Sequence, residues 1–471
     1  MVRFLILILS ITYCASSVPQ EVTLPDFGSR GDSVINKTEE AQIGKSVITQ
    51  LRGSGAIMED ALVTEYINTL GSQLVGHASN GGQDFEFFMI DDETINAFAL
   101  PGGFIGVHVG LILASETESE LAGVLAHEIA HVTQRHLARR AYDNQRSGML
   151  SMAATIATMI IGLTTDVRGN AIGGLVTATQ GAAIQRQINF TRANEHEADR
   201  IGIRTLSSAG FDPSGMGTFF EKLSRRYGTG GPAILRTHPV TTERIAEARD
   251  RARLLPSKVV SSSTEYQIMK TRLEVLQAPR ADVAFDSLRT RIQINNENVG
   301  DRYGFALSLS ELGLDDDAQR EFGNLVFEFP GVIAFRIGEA ESLVKNNQID
   351  IALDKYANAI ELFPRNVPLT NSYANALITS GHAKEAHRIL LDLLNNSTPT
   401  PEQFRLIARA ADADGDMGNA HHYMSHYYAS IGNYPDALTQ IQLALEAPDV
   451  NIIDRARFES ELETYQISTT E

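Results

Sequence analysis

Between Thr117 and Val132 the apolar residues Leu121, Val124, Leu125, Ile129 and Val132 recur at the three-to-four-residue spacing of a helix with a buried face. Thr117, followed three residues later by Glu120, matches a capping box and predicts that this helix starts there. The cationic stretch "RHLARR" predicts its C-terminal end. Upstream, "DFEFFMIDDETINAFALPGGFIGVHVGLI" is rich in β-forming residues. It predicts strands over 84–90, 95–100 and 104–110, joined by turns at "DDET" and Pro101-Gly102-Gly103. The expected product is a small antiparallel β-hairpin or meander. Two more helical patterns lie in 39–79, broken at Gly53 to Gly55, and others run to about residue 254. The polar stretch "LPSKVVSSS", 255–263, reads as a linker.

Beyond it the pattern acquires a longer period. Ala306, Ala340, Ala374 and Ala408 are 34 residues apart, as are Ala318, Ala352, Ala386 and Ala420. Gly313, Asn347, Gly381 and Gly415 mark the turn inside each unit, and Pro330 and Pro364 close the first two. A 34-residue period with small residues where paired helices cross is the tetratricopeptide signature. Ala284 suggests a degenerate leading unit. The expected architecture is therefore mainly α: a first domain over 30–254 with its small sheet, then an all-α solenoid over 264–471. Such a solenoid offers a concave surface for peptides or proteins.

Length and composition narrow the setting. A chain of 471 residues accommodates two or three domains. With 58 acidic against 40 basic residues it carries a net charge of −18, which argues against nucleic acid as a partner. The first 17 residues, "MVRFLILILSITYCASS", read as a signal peptide for export to a periplasm, because the apolar run is too short to span a bilayer. Cys14, the only cysteine, follows the bulky Tyr13, so a lipid anchor is not expected, and the remaining chain has no disulfide. Residues 148–185 are almost uncharged and rich in Gly, Ala, Thr and Met. They read as a hairpin packed over the central helix, a mobile flap making peripheral membrane contact, or a pair of membrane helices.

The central helix carries "HEIAH". Residues i and i+4 share a helix face, so His127 and His131 can aim at one metal ion while Glu128 reaches a water beside it. Two histidines leave zinc short of a ligand. Downstream, "NEHEADRIG" places Glu195, Ala198 and Asp199 on one helix face, with Glu197 roughly opposite. Glu195 is the expected third ligand of one Zn²⁺ per chain. Asp199 is the expected acceptor orienting a ligand imidazole, and Ala198 lets two helices approach closely. His136 and His196 are expected at the surface.

"HEIAH" and "RANEHEADRIG", preceded by "NAFALPGGFIGVHVGLI" and followed by "THPVTTERIAEAR", resemble the zinc metallopeptidases of the CAAX prenyl endopeptidase type. The resemblance covers nearly the whole chain and implies zinc on His127, His131 and Glu195, with Glu128 as the catalytic residue. His238 is then a fourth zinc ligand in a resting enzyme or a cation for the oxyanion during turnover. Within that family, the signal peptide and repeats resemble exported members concerned with outer-membrane proteins. This implies clients among unfolded or misassembled outer-membrane β-barrel proteins, with the repeats docking on the β-barrel assembly machinery. The competing reading is a tetratricopeptide chaperone or adaptor with a vestigial metal site.

Overall fold

The computed structural model describes residues 36–78, 84–143, 191–228, 231–256 and 260–468. The expected signal peptide and the segment 148–185 lie outside the described residues. Among those described, no helix is long and apolar enough to cross a membrane.

The architecture is mainly helical with one small sheet. Helix Glu118–Thr133 is central, and every residue from Glu118 to Val132 is buried. Its start is as expected: Thr117 caps it by accepting from the Glu120 backbone N–H. The Glu120 carboxylate, however, accepts from the Glu116 N–H at 2.7 Å and pairs with Lys222 at 2.6 Å. The helix also ends sooner than expected. The chain turns at Arg135, φ 50°, and a separate helix, His136–Asp143, follows. The Arg135 guanidinium holds that reversal by binding Glu40 at 2.6 and 3.1 Å.

Helix Arg192–Ser208 packs along the central helix through small residues. Ala130 and Ala198 meet in one buried cluster. A Cβ on Gly202 would lie 3.1 Å from the backbone of Ala126, so the two helices leave no room there for a side chain. The sheet has the order β1 (Glu86–Ile90), β3 (Phe104–His108), β2 (Ala97–Ala99). Strands β2 and β3 form the expected antiparallel hairpin, turning at Gly102 and Gly103, φ 83° and 94°. Strand β1 instead pairs with β3 in parallel, so the sheet is not a meander. The "DDET" segment is a crossing loop. The Asp92 carboxylate accepts from the Thr94 N–H at 2.7 Å and lies 3.2 Å from His108 Nδ1, which carries the chain across to the far side of β3.

The repeat columns are buried as their period requires: Ala306, Ala340, Ala374, Ala318, Ala352 and Ala386 have no exposed surface. Gly313, Gly381 and Gly415 take φ of 72° to 83°, and Asn347 makes the same left-handed turn at 58°. The leading unit breaks the column. Thirty-four residues before Ala306 stands Arg272 (306 − 34 = 272), which reaches out of the repeats to Asp60 at 2.7 Å. Asp60 is also the N-cap of helix Ala61–Val75.

The segment expected as a linker is bonded down where it is described. Ser263 donates from N and Oγ to the Glu118 carboxylate, both at 2.8 Å, at the first turn of the central helix. Tyr266, Ile268, Met269 and Leu273 of helix Thr264–Leu276 are buried in the same apolar cluster as Leu62, Tyr66 and Leu70. A chain ending at Ser263 therefore exposes a face of the first domain. Losing several such side chains costs at least roughly 5 kcal/mol, which corresponds to a drop of about 10–20 °C in unfolding temperature for a unit of this size. Thermal unfolding of chains ending at residues 263 and 294 checks this; equal midpoints would refute it.

Candidate metal centre

The two histidines of the central helix do converge. His127 Nε2 and His131 Nε2 are 3.0 Å apart, and both imidazoles are buried. Helix Arg192–Ser208 brings Glu195 to them: Oε2 lies 3.5 Å from His127 Nε2, and Oε1 3.5 Å from His131 Nε2. His238 follows the short helix Ala233–Thr237. Its Nδ1 is 3.2 Å from His127 Nε2 and 3.1 Å from Glu195 Oε1. One ligand atom from each of these four buried residues falls within 4.8 Å of all the others.

These separations fit a metal ion. Donors about 2.0–2.1 Å from one tetrahedral zinc stand about 3.4 Å from each other. Three imidazole nitrogens and a carboxylate facing one another at 3.0–3.5 Å match that arrangement. The electrostatics agree. Burial opposes charge on His127, but Asp199 and Glu195 override it and raise its pKa to about 10. Burial would lift Glu195, yet His238 and His127 hold it well below the usual carboxylate range. Burial, with the charge on His127, holds His131 well below the usual imidazole range, so the two imidazoles do not both carry a positive charge.

The outward nitrogens are held as well. His127 Nδ1 is 2.9 Å from Asp199 Oδ1. His131 Nδ1 is 2.9 Å from His136 Nδ1, whose Nε2 lies 3.1 Å from Glu197 Oε2. His136 was expected at the surface and is instead fully buried, because the reversal at Arg135 folds it beneath His131. Burial lowers its pKa to about 4. A neutral His136 can donate from Nε2 to Glu197 and accept at Nδ1 from His131, which fixes the tautomer of His131. His196 is half-buried and paired with Glu247 at 2.6 Å, away from the cluster.

Glu128 lies against the sheet, outside the four residues whose ligand atoms converge. Its carboxylate is fully buried with no close hydrogen-bond partner among the described residues, and Oε1 is 3.4 Å from His238 Nε2. Burial raises its pKa, opposed in part by His238, and the Ala99 N–H of edge strand β2 is turned toward it. A desolvated carboxylate at this position can take up and release a proton.

Arg244 was not singled out in the sequence. Its guanidinium, 3% exposed, binds both oxygens of Asp199 at 2.7 and 2.8 Å, Glu195 at 2.7 Å and the Pro239 carbonyl at 2.8 Å. It also covers the Phe220 ring, 5.3 Å from the centroid. One residue thus ties together the acids of helix Arg192–Ser208 and the loop that carries His238. The available signal was its phase: Arg244 precedes Ile245 and lies four residues from Ala248, both on the buried face of helix Thr242–Arg253.

Residues 61–252, which hold all these groups, match peptidase family M48. Over 445 residues the chain is 34% identical to the beta-barrel assembly-enhancing protease of Escherichia coli K12, covering 94% of this chain and 91% of that one. It is 32% identical to the putative beta-barrel assembly-enhancing protease of Vibrio cholerae, covering 96% and 95%. The metalloprotease LoiP of Escherichia coli K12 is 28% identical over 191 residues, 40% of this chain and 69% of that one. The chain therefore belongs to peptidase family M48, as a metallopeptidase of the beta-barrel assembly-enhancing protease group.

Proposed function

We propose that this metallopeptidase is a zinc-dependent endopeptidase of the periplasm. Its clients are unfolded or misassembled outer-membrane β-barrel proteins, and it also assists their assembly. The observation that carries the reading is the buried set His127, His131 and Glu195 with Glu128 beside it, at the edge of a sheet. A vestigial site in a chaperone would have no reason to keep every donor, its orienting partner and a desolvated carboxylate together.

Under this reading His127, His131 and Glu195 hold the metal, and Asp199, His136 and Arg244 hold the ligands. Zinc bound there would polarise the scissile carbonyl and lower the pKa of the attacking water. Glu128 takes the proton from that water and passes it to the leaving amine. Strand β2 positions the substrate. Its bonds to β3 use Asn96 and Leu100, so by antiparallel alternation the peptide groups of Ala97 and Ala99 face away from the sheet. An extended client segment adds there through its backbone, with wide sequence tolerance. Unpaired strands of a stalled β-barrel are such segments. The repeats then recruit partner proteins such as the assembly machinery. Incubating the enzyme with one outer-membrane β-barrel protein, unfolded and folded, tests the client class. Cleavage of the unfolded form alone is expected; equal cleavage of both would overturn it.

His238 is proposed as a latch. Its Nδ1 stands from His127 and Glu195 at the separations of a fellow ligand, and a fourth protein ligand keeps water out. Motion of the loop at Pro239 opens the position, a two-state equilibrium that substrate can bias. His238→Ala is expected to raise cleavage of normal clients several-fold, and His238→Ala with Glu128→Gln to abolish it. A single mutant as inactive as Glu128→Gln would assign His238 to the oxyanion instead.

A further inference from the structure

The repeat "HHYMSHYY", 421–428, places His422 and His426 one helical turn apart, and nothing in the peptidase chemistry involves them. Both lie on helix Met417–Ser430 and face the last helix, Ile452–Ser468. There Glu461 meets them: Oε1 is 3.1 Å from His422 Nε2 and 3.4 Å from His426 Nε2. One ligand atom from each of the three residues lies within 4.8 Å of the other two. We propose that His422, His426 and Glu461 form a second transition-metal site, which clamps the C-terminal helix onto the end of the repeat stack.

The separations match donors sharing one tetrahedral ion, about 3.4 Å apart. Two neutral imidazoles donating to one carboxylate oxygen would also account for the distances. That arrangement leaves Glu461 Oε2 idle, and this oxygen is buried with no hydrogen-bond partner among the described residues. A metal ion held by both carboxylate oxygens gives it one. The rings are also held by packing, although His422 Nδ1 has no hydrogen-bond partner among the described residues. His422 lies 4.7 Å from the Phe458 ring, His426 stacks on Phe404 at 5.1 Å, and His426 Nδ1 is 3.5 Å from the Tyr465 hydroxyl. Two imidazoles and a carboxylate select Zn²⁺, Co²⁺, Ni²⁺ or Cu²⁺ over Mg²⁺ or Ca²⁺.

The place of the site gives it a purpose. The last helix packs in a small cluster of its own, Ala437, Ile441, Ala444, Phe458 and Tyr465, separate from the main core. Terminal repeats are where a stack frays, since they have a neighbour on one side only. A metal bridge from Glu461 to the helix two places earlier ties down that end.

The full-length protein, stripped by chelation and titrated with Co²⁺ and then Zn²⁺, tests this. His422 is almost fully buried, so the partly exposed Glu461→Gln and His426→Gln are the variants of choice. Each is expected to bind about one equivalent less than the parent while cleaving an unfolded protein at the parental rate. His131→Ala is expected to keep the equivalent that Glu461→Gln loses, so failure of the peptidase centre to bind metal is read separately. Zinc is expected to slow amide hydrogen exchange in 452–468 in the parent and not in Glu461→Gln. Equal metal equivalents in parent and Glu461→Gln would overturn the proposal, as would exchange in 452–468 that is indifferent to zinc.

Discussion

Glu128→Gln is expected to lower peptide hydrolysis by at least about 10²–10⁴-fold, the usual contribution of a positioned general base, while metal content stays at the parental level. The substitution preserves shape in a fully buried site and removes only the capacity to take a proton. Glu128 is not among the residues whose ligand atoms converge, so binding should survive. Glu195→Gln should behave in the opposite sense. It replaces an anionic donor facing His127 and His131, so metal affinity itself falls and activity follows it. Metal analysis alongside a peptidase assay separates the two. Retained cleavage by Glu128→Gln would remove it from the chemistry.

Arg244→Ala is expected to cost about 3–5 kcal/mol in the metal-free protein, the usual result of taking one partner from a buried ion pair. Asp199 and Glu195 would both lose their guanidinium, and the Pro239 carbonyl its donor. If Asp199, 2.9 Å from His127 Nδ1, orients that ring as proposed, metal affinity or activity should also fall, by about 10–100-fold. Arg244→Lys restores the charge but not the planar fork, so it should recover only part of either loss. The checks are the unfolding midpoint without metal and zinc affinity by competition with a chelator. An Arg244→Ala protein with parental midpoint and affinity would show that the acids find another partner.

The parts of this centre that could be read in the sequence are those set by a single helix. His127 and His131, and likewise Glu195 and Asp199, are four apart, so helical geometry alone brings each pair to one face. His136 and Arg244 depend on how elements are placed. In "RHLARR" nothing marks one histidine as buried; that follows from the left-handed turn at Arg135 and its pairing with Glu40. Arg244 stands in a helix with Arg249, Arg251 and Arg253, and its burial follows from the two acids it meets. The sheet divides in the same way. The hairpin follows from a local Pro-Gly-Gly turn, whereas the parallel pairing of β1 depends on a loop that Asp92 and His108 hold across it. In the repeats, alanine columns reveal a period, and Arg272 was missed because it departs from that period.

That departure bears on how such proteins are assembled in evolution and how they can be recombined. A repeat array is usually regarded as interchangeable cargo, joined at whichever polar stretch precedes it. Here the helix after that stretch packs on the repeats and is also bonded to the catalytic unit: Arg272 binds both the repeat residue Tyr303 and the cap of helix Ala61–Val75, and Ser263 holds the first turn of the central helix. A crossover for exchanging arrays between relatives therefore falls better after the leading helix pair, past Ile294, although later repeats also reach the first domain, Asn366 Nδ2 donating to Glu65 at 2.6 Å. Chimaeras spliced there should keep the contacts of Ser263 and Arg272, provided the new array also matches Glu65, and those spliced at the polar stretch should lose them.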